Sequence, residues 1–158
     1  MLELSNAINR NTLLQASMLT CCILVLRQDH SVQFCSAGHP PLLRINDSGI
    51  EPLSTGGILP GLIDYPAYQA STLHLSPGER LAVFSDGLLD SAATVSQRER
   101  LEEAIMKQLQ GSSRLDLADA VDITLRRFDE FATTSCRDDA TLLMIEPMNT
   151  TESETLRC

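Results

Sequence analysis

The chain has 158 residues, 43% of them apolar, which is enough to bury the core of one domain of ordinary size. Its net charge of -9, with only 12 Lys and Arg residues spread along the sequence, excludes a typical nucleic-acid-binding protein, because phosphate neutralisation needs clustered basic residues. No apolar run is long enough to span a membrane and residues 1–4 do not resemble a signal peptide, so we expect a cytoplasmic protein.

The first part of the chain reads as one helix followed by strands. Residues 2–15 place Leu2, Leu4, Ala7 and Ile8 at helical spacing, which predicts an amphipathic helix. The apolar runs at 18–26 and 32–37, separated by a polar turn, predict a β-hairpin.

Further strands are predicted up to Ser85. A second hairpin pairs 42–45 with 50–53, and residues 55–62 are rich enough in Gly and Pro to form a loop. Extended segments at 68–75 and 80–85 follow. The region from Met18 to Ser85 is therefore predicted to be antiparallel sheet joined by short turns.

Helical periodicity begins after Asp90. Ser96 and Glu99 resemble a capping box that starts one helix, and the apolar pattern of 115–128 predicts a second. A polar connector leads to 140–145, which we predict to be a buried strand. We expect residues 1–147 to form one domain and 148–158 to be a loose tail.

Two acidic sites flank apolar strands and provide the first functional hypothesis. Ser85-Asp86-Gly87 follows the strand that ends at Phe84, and Asp138-Asp139 precedes the strand that begins at Ala140. If these strands are antiparallel neighbours, Asp86 and Asp138 lie at the same edge and could bind a hard divalent cation. The alternative from the residues alone is two unrelated surface turns, since Asp and Gly favour turns.

Five motifs, in order, resemble those of one enzyme family. They are residues 35–42 with their Ala-Gly-His-Pro-Pro core, the loop that ends at 60–62, the Leu-Ser-Pro-Gly-Glu turn at 75–79, Phe-Ser-Asp-Gly at 84–87, and Arg-Asp-Asp-Ala-Thr-Leu-Leu at 137–143. In order and spacing the chain resembles the SpoIIE/RsbU-type serine phosphatases, a bacterial branch of the metal-dependent PP2C phosphatases.

The resemblance implies an α+β fold of the PP2C type, an α-β-β-α sandwich of mainly antiparallel sheets flanked by helices. It also implies a two-metal site for Mn²⁺ or Mg²⁺. Asp86 and Asp138 match two metal-ligating Asp residues of the family motifs. Gly87 and Asp139 are weaker candidates, with Asp139 favoured as a hydrogen-bonding residue at the start of the strand.

The family also carries an N-terminal Gly-Asp-Phe-x-Asp type of segment that supplies a further metal-bridging Asp. Residues 1–18 contain no such segment. We therefore expect the chain to correspond to a phosphatase domain that is incomplete at its N-terminus, possessing little or no activity by itself. Two monodentate carboxylates would leave most of the coordination shell to water.

Three other residues have two interpretations each. His39 is a candidate metal ligand or catalytic acid, although a structural histidine at a strand end is favoured. Arg137 could hold a substrate phosphate, but an ion pair with a nearby carboxylate is favoured. Cys136, next to Arg137, is the one candidate reactive thiol among five cysteines that otherwise read as reduced and structural.

Two classes of function remain open. The first is a metal-dependent protein serine/threonine phosphatase that acts on a phosphorylated regulatory protein, such as the anti-sigma-factor antagonists of stress-response signalling, with a sensor or receiver domain upstream. The second is a noncatalytic binding or adaptor domain, or an inactive fragment, with the same fold. Neither involves nucleic acid or a membrane.

Overall fold

The computed structural model describes residues 1–10, 19–90, 94–131 and 139–148. The elements are, in order, α1 (Leu2–Asn9), β1 (Cys21–Leu26), β2 (Ser31–Ala37), β3 (Leu42–Asn46), β4 (Gly49–Leu53), β5 (Ser71–His74), β6 (Arg80–Phe84), α2 (Gly87–Asp90), α3 (Val95–Gly111), α4 (Leu117–Phe131) and β7 (Leu142–Ile145). They form two compact units, one of residues 1–41 and 53–74 and one of 42–52 and 75–158. The predicted combination of helices and antiparallel sheets is confirmed.

The first unit contains α1 and a sheet with the strand order β1-β2-β5. β1 and β2 form the predicted antiparallel hairpin, with Leu26 opposite Val32. Its turn is held by Asp29, whose Oδ1 accepts hydrogen bonds from the Ser31 N–H at 3.0 Å and from its hydroxyl at 2.6 Å. A side chain that bonds the main chain two residues on favours a tight turn, which fixes the register of the hairpin.

Of the four residues that we predicted on the buried face of α1, Ile8 alone is buried. Ser5 and Ile8 are buried, whereas Leu2 and Leu4 are exposed. The reason is a close approach of the loop at Gly61, whose N–H donates to the Ser5 hydroxyl at 3.0 Å and where a Cβ would lie 2.4 Å from the Ile8 side chain. The helix ends at Asn9 within the described residues, and 11–18 lie outside them.

The prediction that short turns join all strands from Met18 to Ser85 is wrong. The strands belong to two sheets, and β5 pairs with β2 rather than with the strand that precedes it. Residues 54–70 form the connection that this pairing requires, and they hold Gly57 against Ala37 in an isolated bridge. β5 is accordingly shorter than the predicted 68–75.

The second unit contains the sheet β4-β3-β6-β7 with helices α2, α3 and α4. Its core includes the predicted stripe of α3, where Leu101, Ile105 and Leu109 recur every fourth residue and are buried. These side chains pack with residues from the strands and from the other helices, namely Leu43, Ile45, Ala82, Phe84, Leu88, Ala120, Phe128 and Met144. Burial of this cluster fixes the position of β6, and with it the turn that follows at Ser85.

We predicted a buried strand at 140–145, and among the described strands β7 lies at the edge of its sheet and is buried on one face. It pairs on one side with β6, from Leu81 opposite Ile145 to Phe84 opposite Leu142. Met144 is buried, but half of Leu143 is exposed. A run of apolar residues does not distinguish a central strand from one that covers the core with a single face.

Arg80, at the start of β6, is a buried cation that joins three segments of the second unit. Its Nε donates to Glu146 Oε2 at 2.8 Å, one terminal nitrogen donates to the Ser112 carbonyl at 3.0 Å, and the other donates to the Leu115 carbonyl. Arg80 therefore satisfies two carbonyls of the α3–α4 connection and ties them to the end of β7.

The described thiols agree with the structural interpretation of the cysteines. Cys21, Cys22 and Cys35 are free and half-buried on β1 and β2. Burial raises the pKa of the Cys22 thiol to about 11 and also raises that of Cys21. Because the thiolate is the reactive form, these two residues are poor nucleophiles at neutral pH. Cys136 lies outside the described residues.

The predicted capping box of α3 is displaced by two residues. Thr94 is the N-cap, with an extended backbone at φ -137° and ψ 156°, and its hydroxyl accepts a hydrogen bond from the Gln97 N–H at 3.3 Å. Ser96 lies inside the helix. A threonine followed three residues later by glutamine satisfies the same pattern as Ser96 and Glu99, so the sequence alone offers two starting points.

Replacing Thr94 by alanine should lower the free energy of unfolding by about 1 kcal/mol, because an N–H at the helix start loses its acceptor. Ser96→Ala should leave stability unchanged or raise it slightly, since alanine is the better helix former. Urea unfolding of both variants measures the difference. Equal losses would contradict the assignment of Thr94 as the cap.

Candidate functional site

The candidate site lies within the second unit, where the end of β6 meets the start of β7. The antiparallel ladder continues one step beyond Phe84, because the Ser85 N–H donates to the Thr141 carbonyl at 3.0 Å. The two strands are thus antiparallel neighbours, which is the condition for bringing the acidic motifs together. The turn after Ser85 leads directly into α2, where Leu88 is fully buried.

The Ser85 hydroxyl fixes the start of β7 against this turn. It donates to the Asp139 carbonyl at 3.2 Å and accepts from the Thr141 N–H at 2.9 Å. One side chain therefore satisfies two main-chain groups that lie more than fifty residues further along the chain. We did not single out Ser85 from the sequence, although a small hydroxyl residue directly before the Asp was the available signal.

Gly87 allows a close approach of the same segment. A Cβ at this position would lie 2.3 Å from the Asp139 carbonyl oxygen and 2.9 Å from its carbonyl carbon. Real Cβ atoms do not come so close to backbone atoms, so a larger residue would force the segments apart. The group that approaches Gly87 closely is the main chain of Asp139.

These contacts hold the Asp86 turn beside Asp139. Asp86 and Asp139 are both exposed, and the Asp139 main chain contacts the residues on either side of Asp86. Asp138, the sequence neighbour of Asp139, lies outside the described residues, as does Arg137. Their predicted roles stay predictions.

The donors at this edge fit a hard cation. Carboxylate and carbonyl oxygens are the groups that Mg²⁺ and Mn²⁺ prefer, and an exposed position leaves room for the water ligands that complete an octahedral shell. Within the ranges that the structure describes, no group of three or more His, Cys, Asp or Glu side chains is placed to hold a metal.

His39 belongs to the first unit, and its contact is local. The Nδ1 atom lies 2.9 Å from the Pro40 carbonyl oxygen, and His39 is half-buried. A carbonyl oxygen can only accept, so Nδ1 carries the proton and donates. This contact favours the structural interpretation of His39, which orders the segment after β2.

The chain is similar in fold to solved phosphatase domains with which it shares less than 20% sequence identity. The SiaA PP2C domain of Pseudomonas aeruginosa has a TM-score of 0.70 and 19% identity over 90% of this chain and 56% of its own. The Mn-soaked phosphatase domain of SpoIIE from Bacillus subtilis has a TM-score of 0.65 and 17% identity, over 87% of this chain and 60% of its own. The Ser-Thr phosphatase MsPP of Mycobacterium smegmatis, solved with cacodylate, has a TM-score of 0.64 and 17% identity, over 92% of this chain and 70% of its own.

The chain thus spans 60% of the SpoIIE phosphatase domain in that structure, and 36% of a second SpoIIE structure that includes part of the regulatory domain. No curated protein sequence matches the chain significantly. The similarities to the solved structures establish a PP2C phosphatase fold. The sequence profile of stage II sporulation protein E (SpoIIE) matches residues 1–147, which is nearly the whole chain. The chain belongs to the SpoIIE family.

Proposed function

We propose that the chain carries one side of the two-metal site of a protein serine/threonine phosphatase, with Asp86 and Asp138 as metal ligands. The observation that supports this most directly is the pairing of the Ser85-Asp86-Gly87 turn with Asp139 and Thr141. It holds an exposed carboxylate next to a second acidic motif, at the edge formed by two strands.

Each residue of this edge has a separate part in the proposal. Asp86 and Asp138 bind Mn²⁺ or Mg²⁺ through carboxylate oxygens. Ser85 and Gly87 fix the distance between the two segments, and Asp139 anchors the start of β7 through its carbonyl. When bound, two such cations supply an activated water for in-line attack on a phosphoserine or phosphothreonine and neutralise charge on the phosphoryl group.

The proposed substrate is a phosphorylated regulatory protein, in line with the expectation from the family motifs. Among the described residues no helix is long and apolar enough to cross a membrane. The acidic chain, at a net charge of -9, needs the cations to bring a phosphate to this edge, because its own carboxylates repel an anion.

Calorimetric titration with MnCl₂ tests the site. We expect weak binding to the 158-residue chain and an affinity about tenfold or more lower for Asp86→Asn, because the amide removes the charged ligand while keeping its shape. Asp119→Asn is the matched control, since Asp119 is exposed on α4 in the same unit, and it should bind as the parent chain does.

Two outcomes have different meanings. Equal heats from the parent chain and Asp86→Asn would contradict Asp86 as a ligand and favour the noncatalytic adaptor. Hydrolysis of a phosphoserine peptide by the chain alone should stay near the background rate. Fast Mn²⁺-dependent hydrolysis that Asp86→Asn abolishes would support the phosphatase and contradict the expected weak activity.

A further inference from the structure

Two of the three histidines of the chain lie together in the first unit. His30 is in the β1–β2 turn and His74 is the last residue of β5, opposite Ser31 at the start of β2. Their ring centroids are 6.2 Å apart and the ring planes are inclined by 49°. These residues are far apart in sequence, and the pairing of β5 with β2 brings them together.

This separation is close to that of two imidazoles on one metal ion. With metal–nitrogen bonds of about 2.0–2.1 Å, a ligating ring has its centroid about 3 Å from the metal, and two such rings in a tetrahedral shell are about 5 Å apart. The observed pair is about 1 Å wider. A bound ion would require the rings to approach by that distance, through a change of rotamer of the exposed His74 side chain that replaces its present contacts.

The backbone on both sides of the pair is fixed. The turn is closed by hydrogen bonds from the Arg27 N–H to the Ser31 carbonyl and from the His30 N–H to the Arg27 carbonyl, each 3.0 Å long. His30 has φ of 63°, a left-handed conformation that is uncommon for residues other than glycine. The pair is therefore held between the hydrogen-bonded β1–β2 turn and strand β5.

The surroundings favour a cation. The Asp29 carboxylate is exposed, and its pKa is lowered mainly by the hydrogen bonds from Ser31, with a smaller contribution from His74. An ionised carboxylate next to two imidazoles attracts positive charge to them.

We propose that His30 and His74 form a binding site for a transition-metal cation of the Zn²⁺ class, independent of the oxygen-ligand site at Asp86. Imidazole nitrogen suits Zn²⁺, whereas Mg²⁺ and Mn²⁺ favour oxygen ligands. Within the described part of the chain no three-residue metal-binding group is present, so water completes the shell. A bound ion joins the β1–β2 turn to β5 and stabilises the first unit, because it binds the folded form alone.

Imidazole ¹H–¹³C spectra of the untagged chain, recorded during titration with ZnCl₂, test this site. The chain has three histidines, so three ring signals are expected, and single substitutions assign them. The signals of His30 and His74 should shift together at the same Zn²⁺ concentration. That of His39, whose Nδ1 donates to the Pro40 carbonyl, should stay in place.

Substitutions provide the decisive comparison. His74→Gln should weaken Zn²⁺ binding at the remaining His30 ring by about tenfold or more. His30→Asn should do the same at His74 while tolerating the left-handed backbone. His39→Gln is the matched control and should leave the binding unchanged. Shifts of all three rings, no shifts, or shifts of His30 that survive His74→Gln would overturn the proposal.

Discussion

Arg80→Met is expected to lower the free energy of unfolding by about 3 kcal/mol. The Arg80 side chain is only 6% exposed, and its loss removes the donors for two carbonyls of the α3–α4 connection. A buried acceptor without a partner costs the desolvation energy of that group. The estimate is the lower end of the range for breaking a buried ion pair, because Glu146 remains 38% exposed and keeps its contact with water.

The matched control is Arg126→Met on the surface of α4. Arg126 also forms an ion pair, with Asp122 at 2.7 Å, but its side chain is 76% exposed. A solvent-exposed pair at this spacing contributes about 0.3–0.5 kcal/mol. Urea unfolding measures the loss of stability in both variants. Similar losses for the two would mean that Arg80 does not stabilise the α3–α4 connection in the way that its contacts imply.

Gly87→Ala is expected to lower the free energy of unfolding by about 1–3 kcal/mol and to weaken Mn²⁺ binding as well. The added methyl group would lie 2.3 Å from the Asp139 carbonyl oxygen, so the start of β7 and the Asp86 turn must separate. The contacted atoms are backbone and cannot rotate away as a side-chain terminus could. Stability follows from urea unfolding, and Mn²⁺ affinity follows from calorimetry.

Gly111→Ala separates this effect from the general consequence of replacing a glycine. Gly111 is the last residue of α3, and a Cβ there meets no atom within 4 Å. Alanine should be neutral at this position or stabilise the helix by up to about 1 kcal/mol. If Gly87→Ala proved as harmless as Gly111→Ala, the close contact with Asp139 would not be a constraint on the site.

Local patterns predicted most helices and strands correctly because each reflects burial of one face. The β1–β2 hairpin and the stripe of Leu101, Ile105 and Leu109 follow from periodicity alone. The start of α3 at Thr94 does not follow from the sequence pattern, because two overlapping stretches satisfy the same capping pattern. Only the hydrogen bond of the Thr94 hydroxyl distinguishes them.

Long-range pairing was harder to predict. The position of β5 beside β2 and the edge position of β7 depend on contacts between segments far apart in sequence, and no local pattern encodes them. The sequence did not predict the contact between the His30 and His74 rings for the same reason. By contrast, the sequence analysis named antiparallel pairing of the strand that ends at Phe84 with the strand that follows Asp139 as a condition, and the pairing of β6 with β7 meets it. The shared site of Asp86 and Asp138 stays a prediction.

The hydrogen bonds of Ser85 to Asp139 and Thr141 span 54 and 56 residues, and α3 and α4 lie between these partners. Closing so long a loop costs conformational entropy before any contact compensates for it, so this edge should form late during folding. Protection of the Thr141 amide from hydrogen exchange would then report the closure of the whole helical segment. A cation that binds only after closure would slow the reopening of that segment.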